Sequence, residues 1–147
     1  MNESPEDAFT QIVLEIFKVS GMLNTEGDIM AGEFGLSSAR WKVLGATAQA
    51  EHTLTVSEIA RIIGQSRQAT QRLVDAMKKD LLLTVADNPK HKRSKLVILT
   101  NKGEKIYRQL WNKQLPWAAA GAEALTKSEL YSTLSAMKKL SQHFAGN

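Results

Sequence analysis

The stretch from Thr55 to Thr100, TVSEIARIIGQSRQATQRLVDAMKKDLLLTVADNPKHKRSKLVILT, decides the fold. It opens on Thr55-Val56-Ser57-Glu58, a capping box in which hydroxyl and carboxylate can each satisfy the other residue's backbone amide. Val56, Ile59, Ala60 and Ile63 follow at helical spacing. Gly64 ends that pattern, since glycine takes the left-handed conformation a helix terminus requires. Ser66 is a good N-cap for a second helix, whose apolar stripe is Ala69, Leu73 and Met77. Its other face carries Arg67, Gln68, Thr70, Gln71 and Arg72. Helix, glycine turn, helix is the helix-turn-helix layout, expected over residues 55–78.

The runs Leu82 to Val85 and Leu96 to Leu99 are apolar and partly β-branched, and they flank a polar tip from Asp87 to Ser94. They predict a β-hairpin, a wing over residues 82–99, with Pro89 keeping the tip out of the ladder. Lys90, Lys92, Arg93 and Lys95 load it with cations. Arginine and glutamine pair with base edges, while serine and threonine bond bases or phosphates. A solvated helix face is the plainer alternative for the Arg/Gln cluster alone. Capped helix, glycine turn and basic hairpin together point to double-stranded DNA.

Outward from this core, the chain has 147 residues, 43% of them hydrophobic, and a net charge of +4, which suits one soluble domain with a proper core. The first 33 residues are net acidic, so positive charge is concentrated rather than spread. The absence of cysteine excludes disulfides, thiolate metal sites and thiol redox switching. No basic leader is seen, and no apolar run approaches the roughly 20 residues that span a bilayer. A cytoplasmic protein without membrane association is expected.

Before the core, a helix runs from Glu6 to about Met30, with Gly21 and Gly27 weakening its later part. Ala31 to Gly35 reads as a loop, Ser37 caps a helix through Trp41 and Ala48, and Leu54 lies in a very short strand. After the core, a long helix begins at Thr100 or Asn101, is kinked or interrupted by Pro116, and resumes from Trp117 to Leu125. A second capping box at Thr126-Lys127-Ser128-Glu129 starts a last helix carrying Leu130, Leu134, Met137, Leu140 and Phe144. Both terminal segments carry apolar faces with no partner in the core, so a homodimer is expected, packed through them.

The chain resembles the MarR family of transcriptional regulators over nearly its whole length. The resemblance rests on Leu36 to Leu44, Val56 to Leu82, and Asp87 to Glu104, including Leu99-Thr100-Asn101-Lys102-Gly103 after the wing. It implies a mainly α fold with a small β-wing: a winged helix-turn-helix lobe at 36–100 and dimerisation helices at 6–35 and 101–147, within a single domain of residues 1–147. It further implies a homodimer straddling a pseudo-palindromic operator, and repression relieved by a small aromatic or toxic effector. By position, Ser66 to Arg72 would start the recognition helix, and Lys90, His91, Lys92 and Arg93 would form the wing tip, with Arg93 reaching a minor groove. Phe17, Met30, Trp41 and Trp111 would line an effector cleft. Two departures stand out. His91 replaces the acid that usually orients the tip arginine, and Asp80 replaces the glycine that usually follows the recognition helix, on the expectation that Asp tolerates the left-handed conformation.

His52, His91 and His143 show no metal-ligand spacing, and neither a phosphate-cradling glycine motif nor a nucleophile elbow is present. No enzyme, no metal and no cofactor is expected. The alternative from another class is a winged-helix protein-interaction module whose DNA binding is weak or lost.

Overall fold

The computed structural model describes residues 4–146. Six helices and three strands occur among them, and the chain divides after Leu110 into two compact units, Met1–Leu110 and Trp111–Asn147.

In the first unit, α1 (Pro5–Gly32) starts on the Ser4 hydroxyl, which accepts from the Asp7 amide, with Pro5 in the first turn where no amide partner is needed. Only Gly27, Met30 and Ala31 of this helix are buried. The helix runs two residues further than its sequence pattern implied and takes in Ala31 and Gly32, leaving Glu33 to Gly35 as the turn. Its last turns meet α2 (Ser38–Gln49): Asp28 accepts from the Ser38 amide at 2.7 Å, and Lys42 Nζ donates to Asn24 at 2.6 Å.

The two-residue strand β1 (Leu54–Thr55) leads directly into α3 (Val56–Ile63). The capping box forms in full, with the Glu58 amide donating to Thr55 Oγ1 at 3.3 Å and the Thr55 amide to Glu58 Oε1 at 3.0 Å. Gly64 ends α3 at φ 71°, the backbone region that lacks a penalty only for glycine. Then α4 (Arg67–Lys79) is followed by β2 (Leu83–Ala86) and β3 (Leu96–Leu99). The sheet is antiparallel in the order β1-β3-β2, with Leu54 opposite Val97 and Leu83 opposite Leu99. Val43, Leu44, Ile59, Val74, Met77 and Val97 are fully buried, so α2, α3, α4 and the sheet share one core. Burial of each such side chain contributes about 1.5–3 kcal/mol, so the lobe is a firm platform for what it displays.

Three expectations are corrected here. The buried stripe of α4 is Thr70, Val74 and Met77, with Ala69 and Leu73 at its margin. Asp80 is not left-handed; its φ is −84°, and Leu81 takes the positive angle at 62°. The Leu81 amide donates to the Lys78 carbonyl and the Leu82 amide to the Met77 carbonyl, a Schellman ending in which both Met77 and Leu82 are buried in the same core. Asp80 serves instead as an anchor, its carboxylate accepting from Arg40 at 2.7 Å. Finally, α5 (Asn101–Ala122) runs through Pro116 without interruption. The carbonyl orphaned by Pro116 belongs to exposed Asn112, where water can satisfy it.

The Leu-Thr-x-x-Gly run has a physical role at this joint. Thr100 Oγ1 donates to the Leu81 carbonyl at 2.6 Å and accepts from the Gly103 amide at 3.0 Å. A Cβ on Gly103 would stand 2.2 Å from the Leu82 carbonyl oxygen, so only glycine lets α5 begin against this turn. In the second unit, α6 (Lys127–Ala145) begins on a complete capping box between Thr126 and Glu129, and none of its residues is buried.

Candidate nucleic-acid interface

Ser66 closes the amino end of α4, its hydroxyl accepting from the Ala69 amide at 3.1 Å and so satisfying one of the amides that the first turn leaves without a helical partner. Arg67, Gln68, Arg72, Asp75 and Lys79 are exposed, opposite the buried stripe. Thr70 does not belong with them. Its side chain is fully buried, and its hydroxyl donates to the Ser66 carbonyl at 2.8 Å. The sequence marked it by residue type, but a threonine that bonds its own helix backbone can sit in a core.

The displayed side chains fall into two groups. Arg67 Nε donates to Ser57 Oγ at 3.2 Å, and Gln71 Nε2 donates to Asp75 Oδ1 at 3.0 Å, so both are held in place. Gln68 and Arg72, one turn apart, are exposed side by side on the helix. Ser57 and Asp75 were not singled out from sequence. The four-residue step from Gln71 to Asp75 was a visible signal. Nothing local ties Ser57 to Arg67, which meet only because α3 and α4 fold back at Gly64.

The wing turns on Asn88, which accepts from the Lys90 amide through its side chain and from the His91 amide through its carbonyl. Lys90, His91, Lys92 and Arg93 are all exposed at the tip. At its base Asp87 pairs with Lys95. The Lys95 hydrogen bond and charge hold the Asp87 carboxyl below its ordinary value. Lys95 is therefore balanced, and the unbalanced tip cations are Lys90, Lys92 and Arg93. A cleft of about 110 Å³ lies between α4 and the wing, lined by Arg67, Gln71, Lys78, Arg93 and Lys95 among others. Helix α4 and the wing thus form one cationic surface, of the kind that suits a polyanion.

The residues named for an effector are placed as follows. Phe17 on α1 is 69% exposed, Met30 is buried, and Trp41 packs half-buried against the lobe core. Trp111, 44% exposed, opens the second unit. Two open clefts of the first unit, about 550 and 480 Å³, are lined by other residues, one around Tyr107 and Arg108, the other around Gly45 and Ile62. The histidines stand apart in use as well. His52 lies 3.3 Å from Glu58, His91 is at the wing tip, and His143 packs edge-on against Phe144. No helix among the described residues is long and apolar enough to cross a membrane.

Residues 34–94 match the sequence model of the MarR family. Protein Rv2011c of Mycobacterium tuberculosis is 26% identical over 134 residues, covering 91% of this chain and 92% of that protein. The transcriptional activatory protein BadR of Rhodopseudomonas palustris is 26% identical over 102 residues, covering 68% of this chain and 58% of its own. The crystal structure of CouR from Rhodococcus jostii RHA1, bound to p-coumaroyl-CoA, superposes with a TM-score of 0.80 at 16% identity, covering 95% of this chain and 96% of that one. That likeness carries the fold, and the family match falls on the winged lobe that bears the cationic surface. Over residues 34–94 the chain is thus similar to the MarR family, and its fold is that of the MarR-family structures it superposes on.

Proposed function

We propose that the chain acts as a homodimeric, ligand-responsive repressor on a pseudo-palindromic operator, working on DNA in the cytoplasm. The observation that carries this reading is the pairing of an exposed Gln68–Arg72 row on α4 with the free wing cations Lys90, Lys92 and Arg93 beside it. Ser66, Arg67, Gln68, Gln71 and Arg72 enter the major groove in this proposal, and Lys90, His91, Lys92 and Arg93 lie along phosphates and the adjoining minor groove. A second copy covers the apolar faces that α1 and α6 expose. Residues 6–35 and 101–147 act as the dimerisation segments, and 36–100 as the reading lobe.

An aromatic acid or aromatic thioester is proposed as effector, prompted by the ligand named for CouR. Phe17 and Trp41 of the first unit retain ring surface for it, and buried Met30 would serve as backing. The name of BadR favours activation as a second reading of sign. The test is a mobility shift on the DNA upstream of the protein's own gene against a scrambled duplex, with a transcription reporter. Repression is supported by binding at least about 10³-fold tighter to the upstream duplex, together with reporter output that rises when the gene is deleted. Falling output assigns activation, and equal binding to both duplexes supports the protein-interaction alternative. A thermal-shift screen with aromatic acids and acyl-CoA thioesters then reads the effector.

A further inference from the structure

The most exposed row of α4 contains an acid. Gln68, Arg72, Asp75 and Lys79 are all exposed and recur at steps of four, three and four, which places them in one line along the helix. That line lies opposite buried Thr70, Val74 and Met77, so Asp75 points where Gln68 and Arg72 point. A carboxylate is an unusual guest on a surface meant for a polyanion, since it accepts hydrogen bonds and donates none. One of its oxygens already accepts from Gln71 Nε2 at 3.0 Å. That bond fixes which way the Gln71 amide faces.

We infer that Asp75 is a specificity-determining residue that makes this protein favour an amino base over a keto base at one position of each half-site. This rests on the reading of α4 as the helix in the major groove. Docking strips water from Asp75, and a desolvated carboxylate must find donors or its burial is costly. In the major groove, cytosine presents the N4 amino group and adenine the N6 amino group. Guanine offers only N7 and O6, and thymine only O4 and a methyl group, so neither can donate to Asp75. Every base pair carries one amino base and one keto base, so Asp75 reads which strand holds the amino partner. The tether to Gln71 adds to this, because it presents the Gln71 carbonyl and remaining N–H in one orientation to the neighbouring base.

The experiment is selection from randomised duplexes by the full chain, comparing wild type with Asp75→Asn and Asp75→Ala, alongside thermal midpoints. Wild type should enrich sites in which one position per half-site carries adenine or cytosine over guanine or thymine by at least about fivefold. Asp75→Asn keeps an acceptor for Gln71 and gains a donor, so it should lose that preference while the other positions persist. Asp75→Ala should lose it too and also blur the neighbouring position. A wild-type site whose base preferences survive both substitutions overturns the inference and leaves the DNA reading standing. Uniformly tighter binding of every duplex, with unchanged preferences, likewise overturns it and makes Asp75 a bystander charge. A wild type that enriches no sequence overturns the DNA reading and this inference with it.

Discussion

Leu81 carries a cost that its neighbours impose. A left-handed backbone costs an L-residue roughly 1–2 kcal/mol, and glycine escapes it. Here the angle is locked by three contacts: the Schellman bonds to Lys78 and Met77, and the Thr100 hydroxyl on the Leu81 carbonyl. The side chain is 67% exposed and offers little burial in return. Leu81→Gly should therefore stabilise the protein by about 0.5–1 kcal/mol after the extra backbone entropy of glycine is counted. Thermal melts at a single protein concentration check this, and a lowered midpoint would mean that Leu81 packs against something when the protein is assembled. The displayed residues should divide by task. If Gln68 and Arg72 contact bases as proposed, Gln68→Ala or Arg72→Ala removes a contact worth about 1–3 kcal/mol and should shrink the ratio of specific to nonspecific binding. Lys92→Ala should weaken all duplexes alike and flatten the salt dependence by about one unit. Equal effects of helix and wing substitutions on ratio and slope would contradict that division.

At the scale of elements, α3 is the helix most dependent on its first turn, having only eight residues. Its capping box holds the Glu58 carboxyl below its ordinary value of 4.5, first through the Thr55 amide and next through His52. The folded state therefore favours the ionised form. The resulting stability is fully present above about pH 4.5 and is lost as pH falls through the lower folded value. Asp87, lowered by Lys95, acts in the same direction. Thr55→Ala should cost about 1 kcal/mol at neutral pH, and Glu58→Gln should flatten the acid limb of a stability-against-pH curve. A curve that keeps its slope below pH 4.5 in Glu58→Gln would remove Glu58 from the account. These caps were readable in the sequence because each lies within four residues. Gly64 and the wing strands were readable for the same local reason. What escaped depended on distance or on competition. Thr70 is polar by type and buried by tertiary packing, and Leu81 was hidden because helix ending and Thr100 strap are 19 residues apart. Pro116 was expected to kink or interrupt α5, and the helix continues through it, the freed Asn112 carbonyl lying on an exposed residue that water can reach.

At the scale of the molecule, the exposed apolar side chains are too large and too many for a lone chain. On α1, Leu14 is 61% exposed, Phe17 69% and Ile29 66%; on α6, Tyr131 is 63% exposed, Leu134 50% and Phe144 56%. Large exposed apolar side chains in such number on each of the two helices favour an interface over a solvated face. A symmetric pair also suits a helix-turn-helix, since two lobes related by a two-fold axis meet two half-sites about 10 bp apart. Joining the lobes turns the second contact into an intramolecular event, worth about 10²–10⁴-fold in affinity without any new bond to DNA. Removal of Leu130 to Asn147 should therefore abolish dimers and reduce operator binding by that factor. Leu134→Glu should do so with the chain intact, by placing an unpaired charge in the face proposed to meet a second copy. Light scattering gives the mass, and footprinting gives the site, expected as two protected half-sites that shrink to weak binding in the variants. A stable monomer that holds the operator with undiminished affinity, or one short asymmetric footprint per dimer, would rule out the two-fold arrangement. Because the lobe keeps its own core of Leu44, Ile59, Val74 and Val97, the Leu134→Glu monomer should stay folded. Its loss of operator affinity, at unchanged nonspecific binding per lobe, would then report assembly and not unfolding.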